Sequence, residues 1–320
     1  IILLSFACYF FSSINIIPAL FIGIFLLRLG GQGLMSHTAS TTISRYFEKT
    51  RGKALSATWL GLSAAEFILP VLMVLLLTIT SWRNIWLYIS LLVLIFLPLA
   101  SFFLIKNLKL DSRENFLKTK KIENNNIKQW TRLEVLKDYR FYIISLNMLS
   151  LPSIATGVFV YQSFIITSKN WGPFILAQSF MVYSIMSVIT LSISGFLIDK
   201  YTSRKLLIYM NIPLFLSAII LNLFESPYSS FVFLGLIGIS NGFANVLGSS
   251  TWAEIYGVKY IGAIKALTTG LMVFATAIGT AVFGILIDDG YSINNIAFFS
   301  SIYIAIIVLL LFFFRKKIKP

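Results

Sequence analysis

IPALFIGIFLLRLGGQGLMSHTASTTISRYFEKTRGKALSATWLGLSAAEFILPVLMVLLLT, residues 17–78, decides the fold. Two apolar runs flank a short basic connection, SRYFEKTRGK. Each run reaches the roughly 20 mostly apolar residues that a helix needs to cross a bilayer. Each also carries one charge deep inside it, Arg28 in the first and Glu66 in the second. A charge at that depth costs roughly 2.5–3.5 kcal/mol on insertion scales, so it needs a partner or a task. Counted from the connection at 1.5 Å per residue, Arg28 lies about 21 Å and Glu66 about 18 Å from the same membrane face. The runs are antiparallel neighbours, which lets the two charges meet near the midplane. The alternatives are that each has a different partner, or that the pair is purely structural.

The whole chain follows the same pattern. It is 58% hydrophobic and 12% charged, where soluble domains carry about 25% charged residues. This is the composition of an all-α polytopic membrane protein with no soluble domain of useful size between its apolar runs. Cys8 is the single cysteine, which excludes an internal disulfide and a cysteine metal site. His37 is the single histidine, which excludes a multi-histidine centre. No metal and no cofactor are expected. His37 points away from the face of Arg28 and lies nearer the basic connection, so structural use is the expectation. The chain opens at Ile1 inside an apolar run without a basic leader, unlike a signal peptide. It reads as a chain whose start is missing.

Hydropathy predicts spans at about 17–42, 54–79, 84–105, 141–167, 172–198, 205–223, 228–251, 262–287 and 294–314, with a partial span before residue 14. Residues 106–140 form a polar stretch with mixed charges. If the connection at 43–53 marks one side, alternation puts on that side all 26 Lys and Arg except Arg28, Arg83 and Lys169. The positive-inside rule makes that side cytoplasmic, together with the long central loop and the C-terminus. The net charge of +14 therefore reflects topology rather than nucleic-acid binding. The basic, Asn-rich loop can lie against anionic headgroups.

The sequence also repeats. At an offset of 210, with a slip of one, Gly33, Tyr46, Gly52, Gly61 and Asn84 fall on Gly242, Tyr256, Gly262, Gly270 and Asn294 or Asn295. Each match alone is within chance. With the shared layout of helix, basic loop, helix, turn and helix, they indicate two homologous halves. The offset implies that two helices are absent from the front, leaving about ten of twelve. The domains are then 1–105, an incomplete bundle holding helices 3–6; 106–140, the interdomain loop; and 141–320, a six-helix bundle.

One loop carries a recognisable motif. In GFLIDKYTSRKLL, Gly195 precedes Asp199-Lys200, and Arg204-Lys205 follow. This resembles the signature loop of the major facilitator superfamily, with Thr202 in place of the usual second glycine. Arg28 with Gly31 and Gly33, RGKA at 51–54, SWR at 81–83 and GILIDDG at 284–290 resemble other family motifs, so the likeness covers the chain. Glu66 and Pro70 stand where drug/proton antiporters carry a glycine–proline pattern, which lowers the odds of multidrug efflux. In the signature loop Asp199 suits a helix N-terminus, where the dipole favours an anion. Arg204 suits an acid on a neighbouring helix, and Glu254 is the available one. Gly195, Asp199, Lys200, Arg204, Lys205 and Glu254 are thus candidates for a cytoplasmic gate. The plainer reading is ordinary positive-inside charge.

The resemblance implies a two-bundle fold and a substrate site near the midplane between the halves. Arg28 and Gln32 share a helix face and can hold an organic anion such as a monocarboxylate. Tyr161, Gln162, Asn241 and Asn245 are further substrate candidates; for the asparagines, interhelical hydrogen bonding is the alternative. Glu66 is the coupling candidate. Paired with Arg28 it stays ionised, and unpaired it can carry a proton. The expected function is alternating-access transport of a small organic solute, as a symporter driven by protons or Na+. The alternatives are efflux, or a transporter-like receptor that does not translocate. The absence of a nucleotide-binding loop argues against direct ATP use, and no cluster of acids or histidines supports an enzyme. The expected state is a monomer in the plasma (inner) membrane, with the lipid bilayer as a partner.

Overall fold

The computed structural model describes residues 1–46, 51–106, 128–315 and 317–318. Among these residues every regular element is a helix. A short α1 (Ile2–Ser12) is followed by α2 (Ile17–Leu27), which passes through a π-helical stretch (Arg28–Met35) into α3 (Ser36–Tyr46). Next come α4 (Arg51–Ile79) and α5 (Trp82–Lys106). After the central loop stand α6 (Arg132–Lys137), α7 (Tyr139–Val160), α8 (Gln162–Ser168) and α9 (Pro173–Tyr201). The chain continues through α10 (Ser203–Met210), α11 (Ile212–Leu223), α12 (Ser229–Tyr256), α13 (Ile261–Asp288) and α14 (Ile293–Phe314). Among the described residues eight helical stretches are long and apolar enough to cross a membrane. At 29 residues, α4 has the length for another. Residues 107–127 of the central loop, with their basic run, lie outside the described residues.

Three spans read as continuous are interrupted. From Arg28 to Met35 three of eight residues are glycine, and the ladder widens into π geometry. At Gly30 a Cβ would stand 3.2 Å from the Cα of Leu4, so α1 crosses here at close range. At Pro213 the missing N–H cannot bond back to the preceding turn, and the helix breaks at Asn211. A fully buried amide pair meets the polar groups at this break. Asn147 Nδ2 donates to the Leu207 carbonyl at 3.2 Å, and Asn211 Nδ2 donates to the Asn147 carbonyl at 2.6 Å. The span 141–167 divides at Tyr161, whose backbone leaves helical geometry (φ −99°, ψ 25°) and whose hydroxyl lies against Gly284 of α13.

At the sequence offset of 210, α1 corresponds to α11, α2 with α3 to α12, α4 to α13 and α5 to α14. Packing repeats too: α1 lies on α2 and α5, as α11 lies on α12 and α14. The copies differ at the π stretch, because α12 is uninterrupted.

The chain packs as two compact units. One takes Ile1–Ala39 and Ile68–Ile127; the other takes Ser40–Phe67 and Lys128–Pro320. In the first unit Ser5 Oγ donates to the Ser90 carbonyl at 3.0 Å, and Ser90 Oγ donates to the Ser5 carbonyl at 2.8 Å. Arg83 Nη2 donates to the Ile14 carbonyl and to Asn15 Oδ1, each at 3.0 Å, closing the turn before α2.

In the second unit α9 and α12 form the tightest pair. Gly238 faces the Tyr183 carbonyl, and a Cβ at Gly242 would stand 2.6 Å from the Ser187 carbonyl. Gly279 of α13 meets the Ser153 carbonyl of α7 in the same way. Between apolar spans in lipid, small residues allow the backbone approach that dispersion needs. The outward rings of Phe196, Phe274 and Phe313 are 62%, 69% and 75% exposed, a surface suited to hydrocarbon rather than water. At the end away from the basic connection, Lys169 Nζ is 2.8 Å from Glu225 Oε1, and Trp171 Nε1 donates to the Glu225 carbonyl at 3.0 Å. The Lys169 ammonium, then the Asn294 amide, hold the Glu225 carboxyl below its ordinary pKa.

Candidate functional site

The polar residues at membrane depth fall into separate groups. Arg28 opens the π stretch, with its side chain exposed. Gln32 follows one turn later in the same stretch, and Glu66 lies in α4. The side chains of Gln32 and Glu66 are outside the described residues, so the Arg28–Glu66 pairing reaches beyond what the structure describes. The π geometry was not legible in sequence, though three glycines within eight residues signal a weak point in a helix.

On α12, Asn241 Nδ2 donates to Ser187 Oγ of α9 at 3.0 Å. Asn241 thus takes part in the contact that Gly238 and Gly242 create. Asn245, four residues on and half-buried, makes no hydrogen bond among the described residues. Gly248 shares this face, and nothing stands within 4 Å of where its Cβ would be. Asn245 and Gly248 together present a neutral polar patch beside open space. Tyr161 is half-buried, and its hydroxyl rests on Gly284, four residues from the end of α13. Asn241 is twelve residues into α12 from the same end, so the two differ in depth by about 12 Å. Gln162 is exposed at the start of α8. The structure therefore does not bring Tyr161 and Gln162 to the asparagines. Tyr161 serves the contact of α7 with α13.

The signature loop is assembled at the basic end. Asp199 Oδ2 accepts a hydrogen bond from the main-chain N–H of Lys53 at 3.3 Å. Lys53 is the third residue of α4, where helical N–H groups lack intrahelical partners and the dipole favours an anion. The Lys53 ammonium lies 4.9 Å above the Phe196 ring. Arg204 Nε stands 3.0 Å from Glu254 Oε1. The other oxygen, Glu254 Oε2, accepts from the Ser203 main-chain N–H at 2.8 Å and from the Ser203 hydroxyl, so Glu254 of α12 caps the first turn of α10. Thr202, in the glycine position of the motif, has φ +74°. The loop needs a left-handed residue there, and this chain carries a threonine in that conformation. Lys200 lies over the Tyr201 ring at 5.2 Å, Lys205 is exposed, and Gly195 is buried in α9.

Two further contacts at this end were not apparent in the sequence. Ser56 Oγ donates to the Leu191 carbonyl at 2.6 Å, and Lys265 Nζ donates to the Ser40 carbonyl at 2.8 Å. A lysine one turn inside an apolar span is the signal that could have found the second. Nearby, the segment before α7 is strapped down. The Trp130 N–H donates to the Tyr256 carbonyl at 3.1 Å, and buried Asp138 accepts from Arg140 and from the Tyr256 hydroxyl. Glu134 closes a capping box on Thr131. The Thr131 backbone N–H, then Lys128, draw the Glu134 pKa down to about 2. Among the described residues no group of three or more His, Cys, Asp or Glu side chains is placed to hold a metal ion.

Comparison with known proteins places this architecture. No curated protein matches the sequence. A family profile, described as the Major Facilitator Superfamily, matches residues 1–267, most of the chain. With its apolar helical spans and its signature loop, the chain belongs to the Major Facilitator Superfamily.

Proposed function

We propose that this membrane transporter carries a small organic solute by alternating access, driven by a proton or Na+ gradient, and that an organic anion is the preferred substrate. The observation that carries this reading is Arg28, a permanent cation about 21 Å from the basic face, placed on a π stretch rather than on regular helix. A guanidinium there suits a carboxylate through paired hydrogen bonds. The basic end is read as cytoplasmic, from the distribution of Lys and Arg. Asp199 and Arg204 are read as parts of a gate at that end, and Glu66 as the coupling acid.

The test is uptake of labelled organic acids and neutral solutes by proteoliposomes, with and without imposed proton and Na+ gradients, alongside Arg28→Ala. Gradient-driven uptake of an anion, lost in Arg28→Ala, is the expected result. Uptake that survives the substitution would make Arg28 structural and move recognition to Asn245. Binding without uptake would turn the reading to a receptor.

A further inference from the structure

Within the second unit, the segment Ser40–Phe67 is held at two places, one on each side of the basic connection. After the connection, α4 is gripped by the end of α9. Lys53 N–H meets Asp199, Ser56 meets the Leu191 carbonyl, and fully buried Leu55 joins a cluster with Leu191, Ile198, Leu206 and Val246. Before the connection, α3 is gripped by the start of α13. Thr41 Cγ2 lies 3.6 Å from where a Cβ would stand on Gly262, and Lys265 donates to the Ser40 carbonyl. The Asp199 grip belongs to the signature loop; the Lys265 grip lies outside it.

Lys265 is 4% exposed, so its aliphatic stem and its ammonium are both withdrawn from water. Its acceptor is a main-chain oxygen of a helix, and a carbonyl has a second lone pair beyond the one used in the helical ladder. The bond can therefore form without disturbing α3, and water can replace it when it breaks. A charged donor makes it stronger than a neutral contact. We propose that Lys265 is a positioning residue that holds the basic end closed, a second clasp made in this state and released when that end opens. The proposal rests on the alternating-access reading.

The test uses the full chain with the lone cysteine removed by Cys8→Ser and a reporter thiol introduced by Ser56→Cys, a position 5% exposed in this state. Labelling of that thiol by a water-soluble maleimide is timed with Lys265, Lys265→Met and Lys265→Arg, all in this one background, so that loss of the Ser56 hydroxyl bond to Leu191 is common to the three, and uptake is measured in parallel. Lys265→Met is expected to speed labelling about tenfold, and Lys265→Arg to restore the slow rate. A control thiol from Ser217→Cys, buried on α11, is expected to stay protected in all three. Unchanged labelling at position 56 in Lys265→Met overturns the proposal, as does an equal rise at position 217, which signals general loosening. A selective rise at position 56 in protein that never transports supports the clasp and removes the transport reading instead.

Discussion

Glu254 divides its two carboxylate oxygens between a side chain and a main chain: Oε1 stands 3.0 Å from Arg204 Nε, and Oε2 accepts the Ser203 N–H at 2.8 Å. The carboxylate therefore joins α12 to α10 and supplies the cap that α10 lacks in its own sequence. Both side chains are mostly buried, at 27% and 18% exposed. Removing the acid should cost more than removing the base, because it also frees a buried helical N–H. Glu254→Ala should cost about 1–3 kcal/mol and Arg204→Met less. Melting temperatures of the purified variants would show the order; equal shifts would mean that the cap contributes nothing.

Thr202 bears a conformation that suits glycine. With φ +74° and ψ 146°, it lies in a region that L-residues occupy at a cost of order 1–3 kcal/mol. Glycine there gives back roughly 0.4–1 kcal/mol through the greater freedom of the unfolded chain. Thr202→Gly should therefore raise stability, by about 1 kcal/mol, and a fall in melting temperature would contradict the assignment of strain.

Gly238 makes the opposite case. A Cβ on this residue would run into the Tyr183 carbonyl of α9, which is backbone and cannot swing aside. Gly238→Ala should separate α9 from α12 and destabilise the unit by about 1–3 kcal/mol. Gly248→Ala, on the same helix but facing open space, should be close to neutral. Thermal unfolding of the two variants side by side checks the contrast.

The strap before α7 should respond to acid. The Glu134 pKa is about 2 in the folded chain against an ordinary value of 4.5. A folded pKa below the unfolded one means that the ionised cap stabilises α6 above about pH 4.5, and that this contribution fades as pH falls toward 2. Amide hydrogen exchange at Thr131 and Glu134, corrected for the intrinsic pH dependence, should show protection lost across that window. Glu134→Gln should flatten the response; a variant with the same pH profile would assign the protection to Trp130 instead.

The sequence by itself determined that the chain is a series of apolar helices long enough to cross a membrane, and roughly where each lies. Hydrocarbon thickness and the rise of a helix set the length of every span, and both are local quantities. The signature loop was equally legible, because its residues lie within eleven positions, Gly195 to Lys205. So was the pairing of Arg204 with Glu254; only the tertiary structure decided what the rest of the loop touches. Lys53 and Asp199 are 146 positions apart, and Ser40 and Lys265 are 225 apart. Their meeting depends on which helices pack and at what depth, and those are properties of glycine contacts such as Gly238 on Tyr183. The same holds for Tyr161 and Asn241, two polar residues of similar appearance in sequence. Helix packing sent the first onto Gly284 of α13 and the second onto Ser187 of α9, because each side chain follows the face on which its helix happens to be covered.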